Sequence, residues 1–423
     1  MRLGLLIGSV CAACLLSMSA RACEFDTDCE FVVSNCSSNP LSVIDLGAAA
    51  TTFNVSGISS SLNNHNHVAG YVPGSNPKAE AAVYADGKVK LLGTLGGSFS
   101  YALGINNSGE VVGWSYLSGD MTLHAARFST MRAPRDLGTL GGSTSTAHAV
   151  NNRGTIVGAA DLPGDKETHA ARFTHRGVVD LGTLGGSNSS ADALNNFGQA
   201  VGVAELAGNN ASHAALYPSH GGAPVDLGTL GGNSSAANGV NDAGFAVGYS
   251  SVPLGGVLHA AVFMSWAAPI DLGGAQSEAR GINQAGDIVG YATFGGQPHA
   301  ALWTYAGGTW SLTDLNTLID PNSGWTIDFA HAINNRGTVE AVGHRSDLQE
   351  HTLLLVRCAG RNHVPGDHEE DVDADQALID APEPDAPGDR LKDRPAECDL
   401  RGADLSRPVH AGKRHTVRER RHY

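Results

Sequence analysis

The stretch Asp136-Leu-Gly-Thr-Leu-Gly-Gly-Ser143 decides how the rest of the chain is interpreted. It returns almost letter for letter at residues 180–187 and 226–232, and weaker copies begin at positions 45, 91, 271 and 314. The spacing is about 45 residues, a period typical of propellers and solenoids. The repeat therefore predicts the architecture, whereas it says little about activity.

Each repeat contains four short segments of strand character. In the second repeat these are residues 101–106, 110–115, 123–128 and 134–138. The first two are joined by Asn107-Ser-Gly109, and Asn, Asp and Gly tolerate the positive φ that hairpin turns require. Four strands per repeat is the pattern of a propeller blade, so residues 41–358 are predicted to form an all-β, seven-bladed β-propeller.

The two ends of the repeat region are out of phase with the repeat. The region begins on a fourth strand, residues 42–46, and ends on a third strand, residues 351–356. The N-terminal strand can therefore complete the last blade and close a ring. The alternative is a β-solenoid, which needs polar caps on its open ends.

The first 22 residues have the pattern of a signal peptide. Arg2 precedes an apolar run over residues 3–20, and Ala20-Arg-Ala22 matches a signal-peptidase site before Cys23. The mature protein is therefore predicted to be secreted, extracellular or periplasmic, with no transmembrane segment after cleavage. An uncleaved membrane anchor is the alternative, since the run is just long enough to span a bilayer.

Both flanks of the repeat region differ from it in composition. Residues 23–40 hold Cys23, Cys29 and Cys36, whereas residues 359–423 are first acidic and then basic and contain few apolar residues. Such a tail buries too little apolar surface to offset the entropy of ordering, so it is predicted to be disordered.

The charge balance excludes one class of partner. The chain has 42 acidic and 27 basic residues and a formal charge of −15, which disfavours binding to the phosphates of nucleic acids. Outside the predicted signal peptide it contains no P-loop, nucleophile elbow, zincin or Cys-x-x-Cys motif, so neither a cofactor nor a catalytic residue is predicted.

A His at the start of the third strand and an Asp near the end of the fourth recur together. We expect each pair to face across the ladder and to hold the blade together, because an active site or metal site does not need a copy in every repeat. In the first repeat both positions change together, to Glu80 and Leu91. The pairs are His124 with Asp136, His169 with Asp180, His213 with Asp226, His259 with Asp271, and His299 with Asp314.

A seventh pair would join the two ends of the repeat region. His351 has no Asp after it, and Asp45 has no His before it. If their strands pair with these two residues opposite each other, residue 358 lies opposite residue 38, and Cys358 comes within reach of a disulfide with Cys36. The alternative is that Cys36 pairs with Cys23 or Cys29.

The first and last repeats break the pattern, and in a closed ring they are neighbours. His65 and His67 have the spacing of two ligands on one strand face, but with no third ligand in view they are more simply explained as a polar loop. Loops on one face of a rigid scaffold are where binding residues gather. The predicted ligand face comprises His65, His67, Glu80, Asp320 and Trp325, and Asp328, His331 and His344 also depart from the repeat.

The repeat resembles a known family. The run from Gly104 to Gly113, followed by His124-Ala125 and then residues 136–142, resembles the bacterial extracellular HAF repeat family, with the aromatic residue placed later, at Phe128 in this repeat. The resemblance implies a secreted or surface-exposed bacterial protein and no particular reaction.

The sequence therefore predicts a binding or structural module outside the cell, whose ligand is an extracellular glycan or protein. The alternative is a carbohydrate-active hydrolase or lyase with its site on one face of the propeller. An enzyme would show acids or bases that break the repeat in neighbouring blades.

Overall fold

The computed structural model describes residues 39–47, 54, 61–74, 79–253, 256–274 and 276–358. The predicted signal peptide, Cys23, Cys29, Cys36 and the predicted disordered tail lie outside the described residues.

The regular elements of the described residues are β-strands, which confirms the all-β part of the prediction; a single-turn 3-10 helix, Leu315–Thr317, is the exception. The first thirteen strands are β1 (Leu41–Asp45), β2 (Val68–Pro73), β3 (Ala79–Ala85), β4 (Lys88–Gly93), β5 (Gly96–Ile105), β6 (Val111–Leu117), β7 (Leu123–Phe128), β8 (Arg135–Asp136), β9 (Ser145–Val150), β10 (Ile156–Asp161), β11 (Thr168–Thr174), β12 (Gly177–Asp180) and β13 (Gly185–Leu194). The others are β14 (Ala200–Leu206), β15 (Ser212–Tyr217), β16 (Val225–Asp226), β17 (Ser235–Val240), β18 (Ala246–Ser251), β19 (Leu258–Met264), β20 (Ala267–Asp271), β21 (Glu278–Ile282), β22 (Ile288–Phe294), β23 (Gln297–Ala306), β24 (Thr309–Asp314), β25 (Thr326–Ile333), β26 (Val339–His344) and β27 (Glu350–Arg357).

Successive repeats form successive antiparallel sheets. Strands β9 to β12, β13 to β16, β17 to β20 and β21 to β24 each make one four-stranded sheet in chain order. Strands β5 to β8 make another, and β2 to β4 join it through a parallel pairing of Ala79 with Phe99. The fold is therefore propeller-like in its repeating unit.

The core lies between neighbouring sheets and is built from small residues. Val112 and Ala125 of one sheet pack with Ala147, Ala171 and Phe173 of the next, and all five are buried. Small side chains at these positions let the sheets approach closely, because each sheet is covered on both faces.

The Gly of six second strands, from Gly113 to Gly343, is required by a backbone contact within its own sheet. A Cβ on Gly113 would lie 1.9 Å from the carbonyl oxygen of Tyr101, and one on Gly158 would lie 2.0 Å from that of Thr146. The first strand has a β-bulge at this point, which brings its backbone towards the second strand. A side chain here would push the first strand away.

The N-terminal strand completes the last sheet, whose order is β1, β27, β26, β25. The predicted antiparallel pairing of β1 with β27 is present, but the predicted register is wrong by two residues, because Asp45 lies opposite Leu353 and not opposite His351. The N–H of Cys358 consequently donates to the oxygen of Pro40 over 2.9 Å. Cys358 therefore lies beside residue 40, whereas the predicted register placed it opposite residue 38.

Candidate functional site

The antiparallel order gives each sheet two distinct ends. One end, which we call the turn end, carries the turn between the first and second strands and the turn between the third and fourth strands. The other end, which we call the crossover end, carries the connection from the second strand to the third and the connection to the next sheet. Side chains at the two ends cannot contribute to one compact site.

At the turn end, an Asn after each first strand bonds to the next sheet. Asn151 shows the arrangement: its Oδ1 accepts the N–H groups of Arg153 and Thr155 in its own turn, and its Nδ2 donates to the oxygen of Asn195 over 3.0 Å. The series of Nδ2-to-oxygen bonds runs Asn63 to Asn106, Asn106 to Asn151, Asn151 to Asn195, Asn195 to Asn241, Asn241 to Asn283, Asn283 to Asn334, and Asn334 to Asn63, so it returns to its first member.

A second series runs beside the first. The N–H of each residue that follows one of these Asn donates to a side-chain oxygen of the equivalent residue in the next sheet, as Asn152 does to Asn196 over 3.1 Å. The series runs Asn64, Asn107, Asn152, Asn196, Asp242, Gln284, Asn335 and back to Asn64. The sequence presents these residues as turn formers, and nothing local in it reveals the contact one repeat away.

The structure brings together every predicted His–Asp pair. His213 Nδ1 and a carboxylate oxygen of Asp226 are 2.9 Å apart, and that carboxylate also accepts the N–H of Gly228, which fixes the turn after the fourth strand. The shortest separations are 2.9 Å for His124 with Asp136, His169 with Asp180 and His259 with Asp271, 2.7 Å for His299 with Asp314, and 3.0 Å for His351 with Asp45.

Two features of these pairs differ from expectation. The Asp lies opposite the residue two places after the His, as Asp180 lies opposite Ala171, so the side chains meet diagonally on one face of the ladder. The pairs are also partly exposed, with 16% exposure for the His213 side chain and 41% for that of Asp226. Solvent screening therefore weakens each pair.

In the first repeat, Glu80 alone fixes the turn after the fourth strand, as the Asp of a His–Asp pair does in the other repeats. The Glu80 carboxylate accepts the N–H of Gly93 over 3.1 Å, as the Asp accepts the equivalent Gly elsewhere. Because the longer Glu side chain reaches this N–H from the third strand, no carboxylate is needed on the fourth strand, and Leu91 is exposed.

A buried Ser at the start of five of the described first strands bonds to the preceding repeat, a role that the sequence reasoning missed. The Ser145 hydroxyl donates to the oxygen of Gly138 over 2.6 Å and accepts the N–H of Ala125 over 2.9 Å. The signal in the sequence is a Ser seven positions after the first Gly of the repeated phrase. The equivalents are Ser100, Ser189, Ser235 and, after a shorter connection, Ser277.

The predicted ligand face is not brought together. His65 and His67 lie in a turn at the turn end, where His67 Nε2 is 3.3 Å from Asp86. Glu80, Asp320 and Trp325 lie at the crossover end. Trp325 is partly buried, with the Arg345 guanidinium over its ring and its edge against His351. These residues therefore do not form one binding face.

Polar side chains that break the repeat face one another on the first strands of four consecutive sheets. His148 Nδ1 lies 3.1 Å from Asp192 Oδ1, while the Thr146 hydroxyl lies 2.9 Å from His148 Nε2. The Ser190 hydroxyl donates to the same Asp192 oxygen over 2.5 Å. In the tautomer that carries its proton on Nδ1, the imidazole therefore donates a hydrogen bond to the Asp192 carboxylate, which orients the ring, and accepts a hydrogen bond from the Thr146 hydroxyl at Nε2.

The same row of side chains continues around Glu278. Its Oε1 accepts from Asn238 Nδ2 over 3.0 Å and lies 3.2 Å from the Arg280 guanidinium. Burial raises the pKa of the Tyr249 phenol, and the negative charges of Glu278 and Asp192 raise it further. Burial and then Glu278 also raise the pKa of Tyr291.

In the first two repeats, aromatic rings take the place of these polar side chains on the first and second strands. Tyr71 and Tyr101 have ring centroids 4.3 Å apart, and Tyr101 stacks on Trp114 at 4.5 Å with an angle of 19° between planes. All three are half-buried. On the other flank of the polar row, Phe329 meets the Tyr291 ring at 5.3 Å, edge to face.

The junction of the last and first repeats has its own polar contacts. The Glu340 side chain is fully buried; its Oε2 accepts from the Ser61 hydroxyl over 3.0 Å, and its Oε1 lies 3.5 Å from His331 Nδ1. His344 and Asp328, which the sequence singles out, are paired at 2.7 Å. Of these contacts, the Ser61–Glu340 bond joins the first repeat to the last, whereas the His331–Glu340 and His344–Asp328 contacts lie within the last sheet.

Within the part of the chain that the structure describes, no group of three or more His, Cys, Asp or Glu is arranged to hold a metal ion. The same residues include no helix with the length and apolar character needed to cross a membrane.

Comparisons with known proteins give little further information. No family model matches the chain, and no curated protein matches it. The chain is similar to a solved structure described as that of a Mycobacterium tuberculosis puromycin-hydrolyzing peptidase, with 13% sequence identity and a TM-score of 0.44. The match covers 70% of this chain and 50% of that chain, so this chain spans about half the length of the matched structure. A likeness this distant is evidence for neither the fold nor the activity of this protein.

Proposed function

We propose that the protein is a secreted or cell-surface repeat protein whose sheets form a closed, seven-bladed propeller and which acts as a binding module. The observation that carries the proposal is the series of seven Asn side-chain bonds that returns from Asn334 to Asn63. Each bond joins one sheet to the next, and the last joins the seventh repeat to the first.

A closed ring explains this series better than a β-solenoid does. In an open stack the Asn of the last repeat would have no neighbour to bond to, whereas Asn334 Nδ2 reaches the oxygen of Asn63 over 3.0 Å. The parallel series closes in the same place, since the N–H of Asn335 donates to Asn64 over 3.0 Å. The pairing of β1 with β27 supplies the fourth strand of the closing blade.

Binding is favoured over catalysis because the repeated polar residues serve the scaffold. The His–Asp pairs, the Asn series and the buried Ser residues recur from sheet to sheet and bond to backbone groups or to each other. A repeated scaffold whose first strands carry side chains that differ from one repeat to the next is suited to the recognition of a ligand. Its ligand is an extracellular glycan or protein, and the resemblance to the bacterial extracellular HAF repeat family supports export.

The test is a ligand screen with the full mature protein, on arrays of glycans and of extracellular proteins, with heat-unfolded protein as the control. A saturable ligand that the unfolded protein does not bind is the expected result. Absence of any ligand in both arrays, with the protein shown to be folded by circular dichroism, would reject the binding module.

A hydrolase is the second candidate, and the contacts of His148 favour it. The imidazole lies between the Thr146 hydroxyl at 2.9 Å and the Asp192 carboxylate at 3.1 Å, an order in which a His can act as a general base. Release of reducing ends or of acyl groups from polysaccharides by the protein, lost in His148→Ala and kept in His124→Ala, would establish this candidate in place of binding alone.

A further inference from the structure

The first strands of the sheets are the ones that surround the axis of the proposed ring. Apart from β5, which also pairs with β3, each described first strand is an edge strand of its sheet, and the turn that follows it carries the Asn that bonds to the next repeat. Side chains on these strands, and on the second strands beside them, therefore form an inner wall. We define the inner wall by its polar part, His148, Asp192 and Glu278 with their partners, and its aromatic part, Tyr71, Tyr101 and Trp114.

Each carboxylate in the polar part of the inner wall already has a basic side chain as a neighbour. Asp192 has His148 at 3.1 Å, and Glu278 has the Arg280 guanidinium at 3.2 Å, so each carboxylate has a basic group beside it. A site for a cationic ligand would present carboxylates without such neighbours. These side chains are also partly exposed, at 28% for Asp192 and 15% for Glu278, so they are accessible to hydroxyl groups of a ligand.

The aromatic part of the inner wall presents apolar ring faces to a ligand. Tyr101 is stacked on Trp114 and Tyr71 is tilted against Tyr101, so three half-buried rings are continuous over two neighbouring repeats. Ligand sites combine such apolar surface with a few placed polar groups. A pyranose ring matches this combination, because one face presents C–H groups and the rim presents hydroxyls that both donate and accept hydrogen bonds.

We propose that the inner wall binds a neutral oligosaccharide, whose C–H face packs on the Tyr101–Trp114 stack and whose hydroxyls bond to Asp192, Glu278 and the side chains around them. The proposal rests on the proposed closed ring and names the ligand class of the binding module. It departs from the ligand face expected from the sequence, which lies on loops and is divided between the two ends.

The test is titration calorimetry of the full mature protein with neutral gluco-, manno- and chito-oligosaccharides, in parallel with spermidine as a cationic probe. Trp114→Ala and Glu278→Gln are expected to weaken oligosaccharide binding by about tenfold or more, because each removes a contact that the free site cannot replace. Trp266→Ala and Asp226→Asn are the matched controls, since Trp266 is an exposed aromatic residue and Asp226 a scaffold carboxylate, both outside the inner wall. Both controls should bind as the wild type does.

Further measurements keep folding and binding apart. Trp114→Phe retains an aromatic ring and should recover most of the affinity lost in Trp114→Ala. Affinity for a neutral ligand should also change less than about twofold between 50 mM and 500 mM NaCl, because no net charge is neutralised on binding.

The outcomes separate the two proposals. Oligosaccharide binding that Trp114→Ala and Glu278→Gln leave unchanged, or binding of spermidine alone, would overturn the inner-wall site and leave the binding module in place. A protein ligand found on the arrays, with no oligosaccharide bound in calorimetry, would do the same. Failure to find any ligand would reject both.

Discussion

Asn334 donates a hydrogen bond from its Nδ2 to the backbone oxygen of Asn63 over 3.0 Å, although 271 positions separate the two residues in sequence. The five other repeats between them make the same contact with their immediate successors. Because both residues are 3% exposed, the bond joins buried polar groups, which are costly to leave without partners.

We expect Asn334→Asp to lower the free energy of unfolding by about 1–3 kcal/mol, because it replaces the donor that faces the Asn63 oxygen with an acceptor while keeping Oδ1 for its own turn. Asn195→Asp makes the same change inside the chain of repeats, and Asn233→Ala is an exposed control. Urea unfolding checks the three variants. If Asn334→Asp cost far less than Asn195→Asp, the contact between the last and first repeats would not exist in solution.

The His213–Asp226 pair is expected to contribute about 0.5–1 kcal/mol, because a partly exposed pair is screened by solvent. The measurement is a double-mutant cycle with His213→Ala and Asp226→Ala, in which the coupling energy should have this size. Additive effects of the two changes would show that the two side chains do not interact in solution. Asp226→Ala alone should cost more than His213→Ala, because the carboxylate also holds the N–H of Gly228.

Alkaline pH should destabilise the protein through Tyr217. Its ring is 1% exposed, its hydroxyl donates to the oxygen of Val203 over 3.0 Å, and burial raises its pKa. Since the pKa is higher in the folded state, the phenol stabilises the fold fully below its unfolded pKa of about 10, and this contribution is lost as the pH rises further. Tyr217→Phe should cost about 1 kcal/mol at pH 7 and flatten the loss of stability above about pH 10. An equally steep alkaline loss in the variant would assign the effect to other groups.

Non-reducing peptide mapping tests the predicted Cys36–Cys358 disulfide. We expect a linked peptide that contains both residues, because β1 and β27 pair beside Cys358, and reduction should destabilise the protein by roughly 5 kcal/mol at most on the chain-entropy model. Cys36 linked to Cys23 or Cys29 would contradict this pairing. A Cys358→Ser variant, compared with wild type under reducing conditions, controls for the loss of the thiol itself.

The period of the fold and many of its strands can be predicted from the sequence, because hairpin turns and alternating burial are local features. The His–Asp pairs can be predicted as well, since the first repeat changes both partners together. It could not give the diagonal meeting of these pairs, because diagonal and directly opposite neighbours have the same pattern along the chain. The contact of Asn151 with Asn195 is equally hidden, as an Asn in a turn already has a sufficient local explanation.

The inner wall was missed for a related reason. His148, Asp192, Asn238 and Arg280 of the inner wall occupy equivalent positions of successive repeats but differ in type from one repeat to the next. No motif therefore marks them, and only the arrangement of the strands brings them together.

The pairing of β1 with β27 also determines when folding of the protein can be completed. A chain synthesised from its N-terminus has β1 long before its partner β27, since His351 follows Asp45 by 306 residues. Contacts of such sequence separation form slowly, because a long loop has to close first. Until then the edge of β1 is a free template for pairing with another chain. The stage most exposed to aggregation is therefore the interval between synthesis of the first strand and synthesis of the last.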